Sequence, residues 1–362
     1  MKILDKYLLK KYFTTFIFTI VLLIPVAVAI DVSEKIHKFL EHEDLTVFEI
    51  IKDYYLNFII FYTNMFMPLA LFIAVILFTS KIASNTEVIA MNSGGLSFSR
   101  IAKPYIFGAL IIFLIAFYAN HFVVPNANKK FEAFKEKYLR RTKLAKNRVN
   151  NVNLQLSENG DYIFIKEFNL KNNSGTYFAY EHFDGLKLKY KITGRRITYN
   201  KKDSTYTIKD YKKRHILKNN DIIEKGKTLD TIFSFKPSDL VFVDYLAQEM
   251  NSIKLYQHIK KSEKRGVKNL NTYRVELIKR SSIPTSAFIL TIIAFSLAQR
   301  KKRGGTGINL AFGVALMFIY VFFMKVAEVL GASATAKPLF MVWLPNIIFG
   351  ILAIYLYFNA RK

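Results

Sequence analysis

The sequence predicts a polytopic α + β membrane protein in which six transmembrane helices are split three and three by an antiparallel β domain. Six long runs carry no formally charged residue, and basic clusters lie beside them. Between the third and fourth runs, the hydrophobic pattern changes from long apolar stretches to alternation with a period of two. Long apolar runs indicate spans, and two-fold alternation indicates strands.

The charge-free runs match or exceed the roughly 18 to 20 residues that cross a bilayer. They are residues 12–30, 54–80, 104–128, 281–299, 304–324 and 338–360. Because 52% of residues are hydrophobic while the net charge is +26, apolar and basic residues must occupy separate regions. We therefore predict membrane helices in 1–128 with a connector helix at about 81–95, a β domain at 129–245, a helical connector at 246–280 and membrane helices in 281–362.

Basic residues indicate the orientation. They precede the first run, lie in the second connector, separate the fourth and fifth runs and close the chain, whereas the loop 31–53 is acidic. The positive-inside rule then places both termini and residues 80–100 in the cytoplasm, and residues from about 126 to 280 outside. The basic start of the chain and the first run, with Pro25 and Ala27 near the end of that run, also resemble a cleavable signal peptide, and this alternative stays open.

The connector Ser80 to Arg100 is predicted to form an amphipathic helix from Lys81 to Ser93 that ends at the two glycines following it. One face is expected to carry Ile82, Thr86, Ile89 and Ala90, and the other Ser84, Glu87 and Met91. Such a helix suits docking to the groove of a soluble partner. A plain connector lying on lipid headgroups is the alternative.

Charged side chains also mark the outer end of the first run. Lys35 and Lys38 place cations there, and a basic helical stalk is expected to continue the third run beyond residue 128. Snorkelling to phospholipid headgroups is the usual alternative for such lysines. A nearby set of histidines and glutamates, Glu34, His37, Glu41 and His42, lacks the spacing of a zinc site, so we expect no metal.

Residues from about 152 to 242 are predicted to form seven or eight short strands in an antiparallel sandwich or jelly roll. Leu188, Tyr190 and Ile192 alternate with lysines. Turn signals between the runs include Asp184–Gly185, Gly194 and Gly226. The alternation leaves open whether the interior is a filled core or a ligand channel.

Motifs for nucleotide hydrolysis, zinc proteolysis and serine hydrolysis are missing, and no cysteine is present. We therefore expect no enzyme activity and no cofactor in this chain. A basic outer domain lies across the membrane from cytoplasmic nucleic acid, so we expect no nucleic-acid partner. Membrane lipids or an anionic glycolipid are the accessible polyanions.

Several ordered segments resemble the LptF/LptG permeases of lipopolysaccharide export. They are Ile3 to Tyr7, Glu87 to Met91 with Gly94, Val124 to Asn126, Leu255 to Ile259, Arg265–Gly266, Tyr273 to Leu277, Lys279 and Pro284. The set runs through the chain in order, and the compact length is closer to LptG than to LptF. The outer domain has extra lysines and little local similarity.

This resemblance implies a bacterial inner-membrane permease with a periplasmic β-jellyroll domain. It implies pairing with a second, LptF-like permease, a cytoplasmic LptB-like ATPase dimer bound at the connector, and lipopolysaccharide passed to an LptC-like periplasmic bridge protein. The implied ATPase-coupling residues are Glu87, Ser84, Met91 and Gly94. Lys38 and Lys137, with Lys35 beside them, fall near basic family positions that contact lipopolysaccharide.

Two other classes remain open from the sequence. One is an ATPase-coupled mechanotransmission or lipoprotein-release permease, against which the count of six spans argues. The other is a membrane-bound enzyme acting on lipid or peptidoglycan, for which Glu34, His37 and Glu41 are the candidate groups. Copurification with a nucleotide-binding protein would distinguish a transporter subunit from an enzyme.

Overall fold

The chain folds into two compact units. The membrane unit comprises Met1–Leu139, Ala247–Ile253 and Asn271–Lys362, and the β unit comprises Arg140–Leu246 and Lys254–Leu270. The computed structural model describes residues 2–139, 148–156, 160–185, 187–201, 203–217, 220–240, 244–264, 270–299, 305–333 and 335–361.

Besides a short 3-10 helix at Pro237–Leu240, nine α-helices are formed by the described residues. They are α1 (Ile3–Leu40), α2 (Val47–Ser84), α3 (Glu87–Ser93), α4 (Phe98–Leu139), α5 (Asp244–Glu249), α6 (Ser252–Lys264), α7 (Asn271–Ala298), α8 (Gly305–Ala332) and α9 (Pro338–Arg361). Six of them, α1, α2, α4, α7, α8 and α9, are long and apolar enough to cross a membrane. The predicted six spans, three on each side of the β domain, are confirmed.

The long helices contain local irregularities that their sequences explain. Proline is tolerated in membrane spans, and Pro25, Pro68 and Pro284 lie inside α1, α2 and α7. Wider π-helical turns occur in α2 at Ile50–Tyr55 and in α4 at Ala119–Val123 and Lys135–Leu139. Since α4 runs unbroken to Leu139, the predicted helical continuation of the third span is confirmed.

Helix α7 is the centre of the membrane unit. In its most apolar stretch 61% of residues are buried, against 11% in α1. Small residues such as Ala287 and Ala294 are fully buried, and they let α2, α4 and α9 pack closely around α7. Helix α1 packs mainly on α2, so most of its apolar surface is free to face lipid or another protein.

A second, aromatic cluster joins the C-terminal end of α1, the start of α2 and the last turns of α4. Its buried rings belong to Phe39, Tyr54, Phe58, Phe131 and Phe134. Tyr54 lies at the centre, with ring centroids 4.9 Å from Phe131 and 5.3 Å from Phe134. Edge and tilted contacts of this kind stabilise beyond the area that they bury, so these three helix ends form one fixed junction.

The described residues of the β unit form six antiparallel strands in a single sheet whose neighbours follow sequence order. The strands are β1 (Arg148–Gln155), β2 (Asp161–Asn169), β3 (Ser174–Asp184), β4 (Lys187–Asn200), β5 (Thr205–Ile216) and β6 (Asp221–Thr231). The predicted antiparallel β domain is confirmed. The second sheet of a sandwich or jelly roll is not among the described strands, and the sheet is not a closed barrel.

The strands are fewer and longer than predicted because two glycines that resemble turn signals lie inside strands. Gly194 is in β4 and Gly226 is in β6. A Cβ at Gly194 would lie 2.2 Å from Cγ2 of Ile208, and one at Gly226 would lie 2.5 Å from Cε1 of Tyr211. Both glycines therefore make room for a neighbouring side chain. Gly185, with φ +61°, does occupy the predicted turn between β3 and β4.

One face of the sheet carries the core of the β unit. Ile165, Phe168, Ile197 and Ile208 are fully buried there. Aromatic and aliphatic residues that follow β6 pack on the same face, including Phe235, whose carbonyl oxygen accepts a hydrogen bond from the Tyr206 hydroxyl at 3.0 Å. The opposite face of β4 to β6 is exposed and mainly polar.

Candidate functional site

The connector between the second and third spans is bent, and this differs from the predicted helix Lys81 to Ser93. Helix α2 continues to Ser84, and Thr86 then adopts a left-handed conformation with φ 62°. A threonine in this conformation interrupts helical hydrogen bonding, so α3 starts anew at Glu87. It ends at Gly94, as predicted, and Gly95 has φ +80°.

The bend also changes which residues of the connector are accessible. Val88 is buried and Met91 packs partly against the core of the membrane unit, whereas Ile89 is 54% exposed. Ile82, which is buried, and the exposed Ile89 lie on separate helices, so the continuous face predicted through Ile82, Thr86 and Ile89 is not formed. Ser84 is exposed, and its hydroxyl donates to the carbonyl oxygen of Lys81 at 2.8 Å.

Glu87 is held by the start of α1. Its Oε2 accepts a hydrogen bond from the Tyr7 hydroxyl at 2.7 Å, and Lys11 Nζ lies 3.9 Å from Oε1. Asn85 Nδ2 donates to Oε1 at 3.3 Å. The Glu87 side chain keeps 27% of its surface exposed, so an incoming cation can still reach it.

A second contact fastens the start of α1 to the start of α4. Arg100 donates two hydrogen bonds to Asp5, from Nη1 to Oδ1 at 2.6 Å and from Nη2 to Oδ2 at 2.9 Å. Two parallel bonds of this kind fix orientation as well as distance. The first turns of α1, helix α3 and the start of α4 therefore form one polar cluster, which we call the connector cluster: Asp5, Tyr7, Lys11, Glu87 and Arg100.

Lys35, one of the predicted lipid contacts, is engaged within the chain. Its ammonium contacts the Asp31 carboxylate and donates to the Tyr54 hydroxyl at 2.6 Å. Tyr54 in turn donates to Asp31 Oδ2 at 3.0 Å, and the Asp31 side chain is only 8% exposed. The charge of Lys35 is thus neutralised by Asp31 at the cluster of aromatic rings that joins α1, α2 and α4, which we call the aromatic junction. The i, i+4 spacing of Asp31 and Lys35 was the sequence signal for this pair.

The other two predicted contacts, Lys38 and Lys137, are exposed at the same junction. Phe39 packs against Phe134, and His42 bonds to the carbonyl oxygen of Tyr138 at 2.8 Å, so the segments carrying both lysines meet. Lys38 forms no hydrogen bond or ion pair with the described residues. Lys137 Nζ lies 4.4 Å from the centre of the Tyr138 ring.

Histidine and acidic residues were weighed for a metal site near residues 34–42. Within the described ranges, no group of three or more such side chains is placed to hold a metal ion. His42 is used in packing, with its ring 5.3 Å from that of Tyr138.

A cavity of about 350 Å³ lies between helices of the membrane unit. Its walls are mainly apolar side chains of α2, α7 and α8, including Phe61, Met65, Ile283 and Phe318. Apolar walls with few polar groups suit an acyl chain or another apolar group.

Polar groups line two regions of this cavity. Asn64 and Asn120 bond reciprocally between α2 and α4, at 3.0 and 2.6 Å. Lys279 on α7 donates to Glu328 on α8 at 2.7 Å and lies 3.0 Å from Glu276. Lys325, which lies 3.0 Å from Glu328, is 61% exposed. The Lys279–Glu328 ion pair at this wall ties α7 to α8.

Arg280, also at the cavity, anchors the returning chain. Its side chain is 2% exposed, and it donates to the Ser252 hydroxyl at 3.0 Å and to the carbonyl oxygen of Ala247 at 2.9 Å. Asn128 on α4 adds a weaker bond to Gln248 at 3.4 Å. The two bonds from Arg280 therefore hold Ala247 and Ser252 against α7. These contacts join positions about 30 or more apart and could not be inferred from spacing.

Together, the six apolar helices and the inserted β sheet define a multi-pass membrane protein with an internal cavity and an exposed connector cluster. The chain belongs to the lipopolysaccharide export system permease LptF/LptG family, because the family's sequence model matches residues 6–359. The expected family is thus confirmed, although the match does not separate LptF from LptG. The curated proteins compared with the chain gave no match. Members of this family are transport permeases and not enzymes, and membership implies a transport complex with other Lpt components.

Proposed function

We propose that this protein is a permease subunit of an ABC transporter that extracts lipopolysaccharide from the inner membrane and passes it to a periplasmic bridge toward the outer membrane. The observation that carries the proposal is the family match over residues 6–359. The arrangement of three spans on either side of a β domain supports it. ATP hydrolysis is assigned to a partner, an LptB-like dimer, and a second, LptF-like permease completes the membrane part.

The charge distribution supports an orientation with both termini and α3 in the cytoplasm. Lys2, Lys6 and Lys10 lie at the start of α1, and Arg361 ends α9. Positive residues at these ends favour the cytoplasmic side. The β unit then lies in the periplasm, where an LptC-like protein would receive the lipid.

In this orientation, Glu87 is the residue through which the ATPase acts. Its carboxylate is partly exposed, and it stands at the first turn of α3, beside Ser84 and Asn85. An arginine of the ATPase would share Glu87 with Tyr7, so movement of the ATPase would reach α1 directly. Met91 positions this helix by packing on the core of the membrane unit, and Gly94 ends it.

We assign capture of the lipid head to Lys38 and Lys137. Both are exposed on segments that meet at the aromatic junction, and phosphate groups attract such cations. Lys35 is already paired with Asp31 and is assigned to holding the aromatic junction. It would contact lipid only if a lipid phosphate replaced Asp31 as its partner. The largely free apolar surface of α1 suits acyl chains between this chain and the second permease.

The experiment is reconstitution with the two partner subunits. Purification by a tag on this chain should recover a nucleotide-binding protein and a second permease. Proteoliposomes of the complex should release lipopolysaccharide to an LptC-like acceptor only with ATP. Recovery of this chain alone, with turnover of lipid or peptidoglycan, would support the alternative of a membrane-bound enzyme instead.

A further inference from the structure

Pairs of like charge face each other across three neighbouring strands of the β unit. Arg196 on β4 lies opposite Lys209 on β5, and Lys191 lies opposite Arg214. Lys212 on β5 lies opposite Lys225 on β6. Directly opposed residues in an antiparallel pair are only about 5 Å apart, and like charges there destabilise the sheet. Three such pairs on three strands do not stabilise the sheet, whereas a binding partner of opposite charge would favour them.

All three pairs lie on the face opposite the core. Ile192 and Ile197 are buried in the core, so their neighbours Lys191 and Arg196 point the other way. Residues directly opposite each other in neighbouring strands share a face, so the partners of these residues on β5 and β6 lie on the same face. We call this surface the basic face: Lys191, Arg196, Lys209, Lys212, Arg214 and Lys225.

Acidic groups neutralise only part of the basic face. Lys191 bonds to Glu181 at 2.6 Å, and Arg214 Nε donates to Asp221 at 2.6 Å. The side chains of the remaining four cations, Arg196, Lys209, Lys212 and Lys225, form no hydrogen bond or ion pair with the described part of the chain. Asp230, which the register places on this face opposite Thr207, accepts a hydrogen bond from the Thr207 hydroxyl at 2.6 Å. Glu224 pairs with Lys213 opposite it and accepts a bond from Tyr211.

The composition of the basic face favours a layer of lipid headgroups over a protein partner. Threonines such as Thr193, Thr207 and Thr228 separate the cations, and the register brings only Ile223 from the apolar residues of β6 onto this face. Stable protein interfaces have apolar or aromatic centres from which charged residues are depleted. Anionic headgroups need no such centre, because each can move laterally to meet a cation.

Chain connectivity tethers the β unit to the membrane unit. The sheet starts at Arg148, nine positions after the end of the third span helix at Leu139, and nine residues reach at most about 30 Å. Its other end returns to the membrane unit at Ala247. A tether at both ends makes the effective concentration of membrane lipid high.

We propose that the basic face docks onto anionic phospholipid headgroups of the membrane that holds this chain, so that the β unit alternates between a docked and a free position. Attraction of basic residues to anionic lipid falls off within a Debye length. Docking is therefore expected with anionic lipid at low salt, and release is expected as salt rises. The proposal requires neither ATP nor lipopolysaccharide, and so it stands apart from the transport function.

The test uses the full chain in nanodiscs that contain no lipopolysaccharide. Since the protein has no cysteine, Thr228→Cys provides one labelling position in the same register row as Lys209. A fluorophore there is quenched by brominated lipid when the face is docked. We expect at least three-fold stronger quenching in discs containing phosphatidylglycerol than in phosphatidylcholine discs, with loss of the difference in high salt.

The variant Arg196→Gln, Lys209→Gln, Lys212→Gln and Lys225→Gln should abolish this difference. It should fold at least as well as the parent, because it removes opposed like charges. The matched control neutralises four other exposed lysines of the β unit: Lys171, Lys201, Lys260 and Lys261. Equal quenching in both lipids, or equal loss in both variants, would overturn the proposal. So would loss of a copurifying acidic protein in the first variant with quenching unchanged.

Discussion

The hydroxyl of Tyr7 donates a 2.7 Å hydrogen bond to Oε2 of Glu87, 80 positions further along the chain. This contact joins the first turns of α1 to the connector helix α3. Since Glu87 is our candidate for contact with the ATPase, Tyr7 belongs to the same site, and it can be tested by removing a single oxygen atom.

Tyr7→Phe is expected to keep the complex assembled and to lower lipopolysaccharide release per ATP about five-fold. The physical reason is the loss of roughly 1 kcal/mol of hydrogen bonding to a carboxylate. Tyr118→Phe is the matched control, because Tyr118 is 62% exposed on α4. Equal coupling ratios for Tyr7→Phe and the parent would remove Tyr7 from the site.

Glu87→Ala is expected to impair both recovery of the ATPase subunit and ATP-driven export. A shielded contact between a carboxylate and an arginine contributes about 1 to 3 kcal/mol, and much less if exposed. The measurement is the ratio of ATPase to permease after purification, with export in proteoliposomes. Glu43→Ala, at an exposed glutamate, is the control. Unchanged assembly and export in Glu87→Ala would contradict the assignment.

Lys38→Glu combined with Lys137→Glu is expected to reduce lipopolysaccharide crosslinking and release more than either change alone. Each lysine contributes only about 1 kcal/mol at a wet interface, so the pair is needed for a clear loss. The single variants and Lys103→Glu, at another exposed lysine, serve as controls for insertion and basal ATPase. Normal crosslinking by the correctly inserted double variant would leave both lysines as membrane anchors.

Arg280→Gln is expected to destabilise the membrane unit by about 3 to 5 kcal/mol. It removes the donors to Ala247 and Ser252 and leaves Glu276 without this partner. Ser252→Ala removes one of these bonds and should cost about 1 kcal/mol. Thermal unfolding in detergent, followed by aggregation or fluorescence, gives the comparison. A fall in midpoint no larger for Arg280→Gln than for Ser252→Ala would show that Arg280 is not the anchor.

Asn64→Leu and Asn120→Leu are expected to be more harmful singly than together. Each single change leaves one amide of the reciprocal pair without its partner, whereas the double change leaves an apolar contact between α2 and α4. Interhelical bonds in membranes contribute about 1 to 2 kcal/mol. The same unfolding assay decides the point: additive losses in the double variant would mean that the amides act independently.

The sequence was most informative where the environment allows the chain only a few kinds of secondary structure. A bilayer requires long apolar helices, so six charge-free runs predicted six spans. Helix α7 was predicted as a span although the helix begins at Asn271, ten residues before its charge-free run. Alternation predicted the antiparallel sheet because its two faces differ. The same signals overcounted strands, since Gly194 and Gly226 serve packing inside β4 and β6.

The candidate site was less accessible from the sequence, because its contacts join distant positions. Glu87 could be singled out as an isolated acidic residue in a connector, but its bond to Tyr7 depends on how α1 packs. The bend at Thr86 depends on one left-handed residue in a stretch with helical periodicity. The Asp31–Lys35 pair was detectable by its spacing, whereas the burial of Arg280 was not, since charged residues at a span end are usually solvated.

Helix α1 runs unbroken from Ile3 to Leu40, with Pro25 inside it. Tyr7 and Lys35 are 28 positions apart on this helix, which is about 42 Å along its axis. At about 3.6 residues per turn they are separated by about 7.8 turns, so their directions around the helix axis differ by roughly 80°. Because Asp31 and Lys35 both lie on α1, a rotation of α1 that withdraws Tyr7 from Glu87 also turns this pair against Tyr54 on α2. A single helix therefore links the connector cluster to the aromatic junction near its other end.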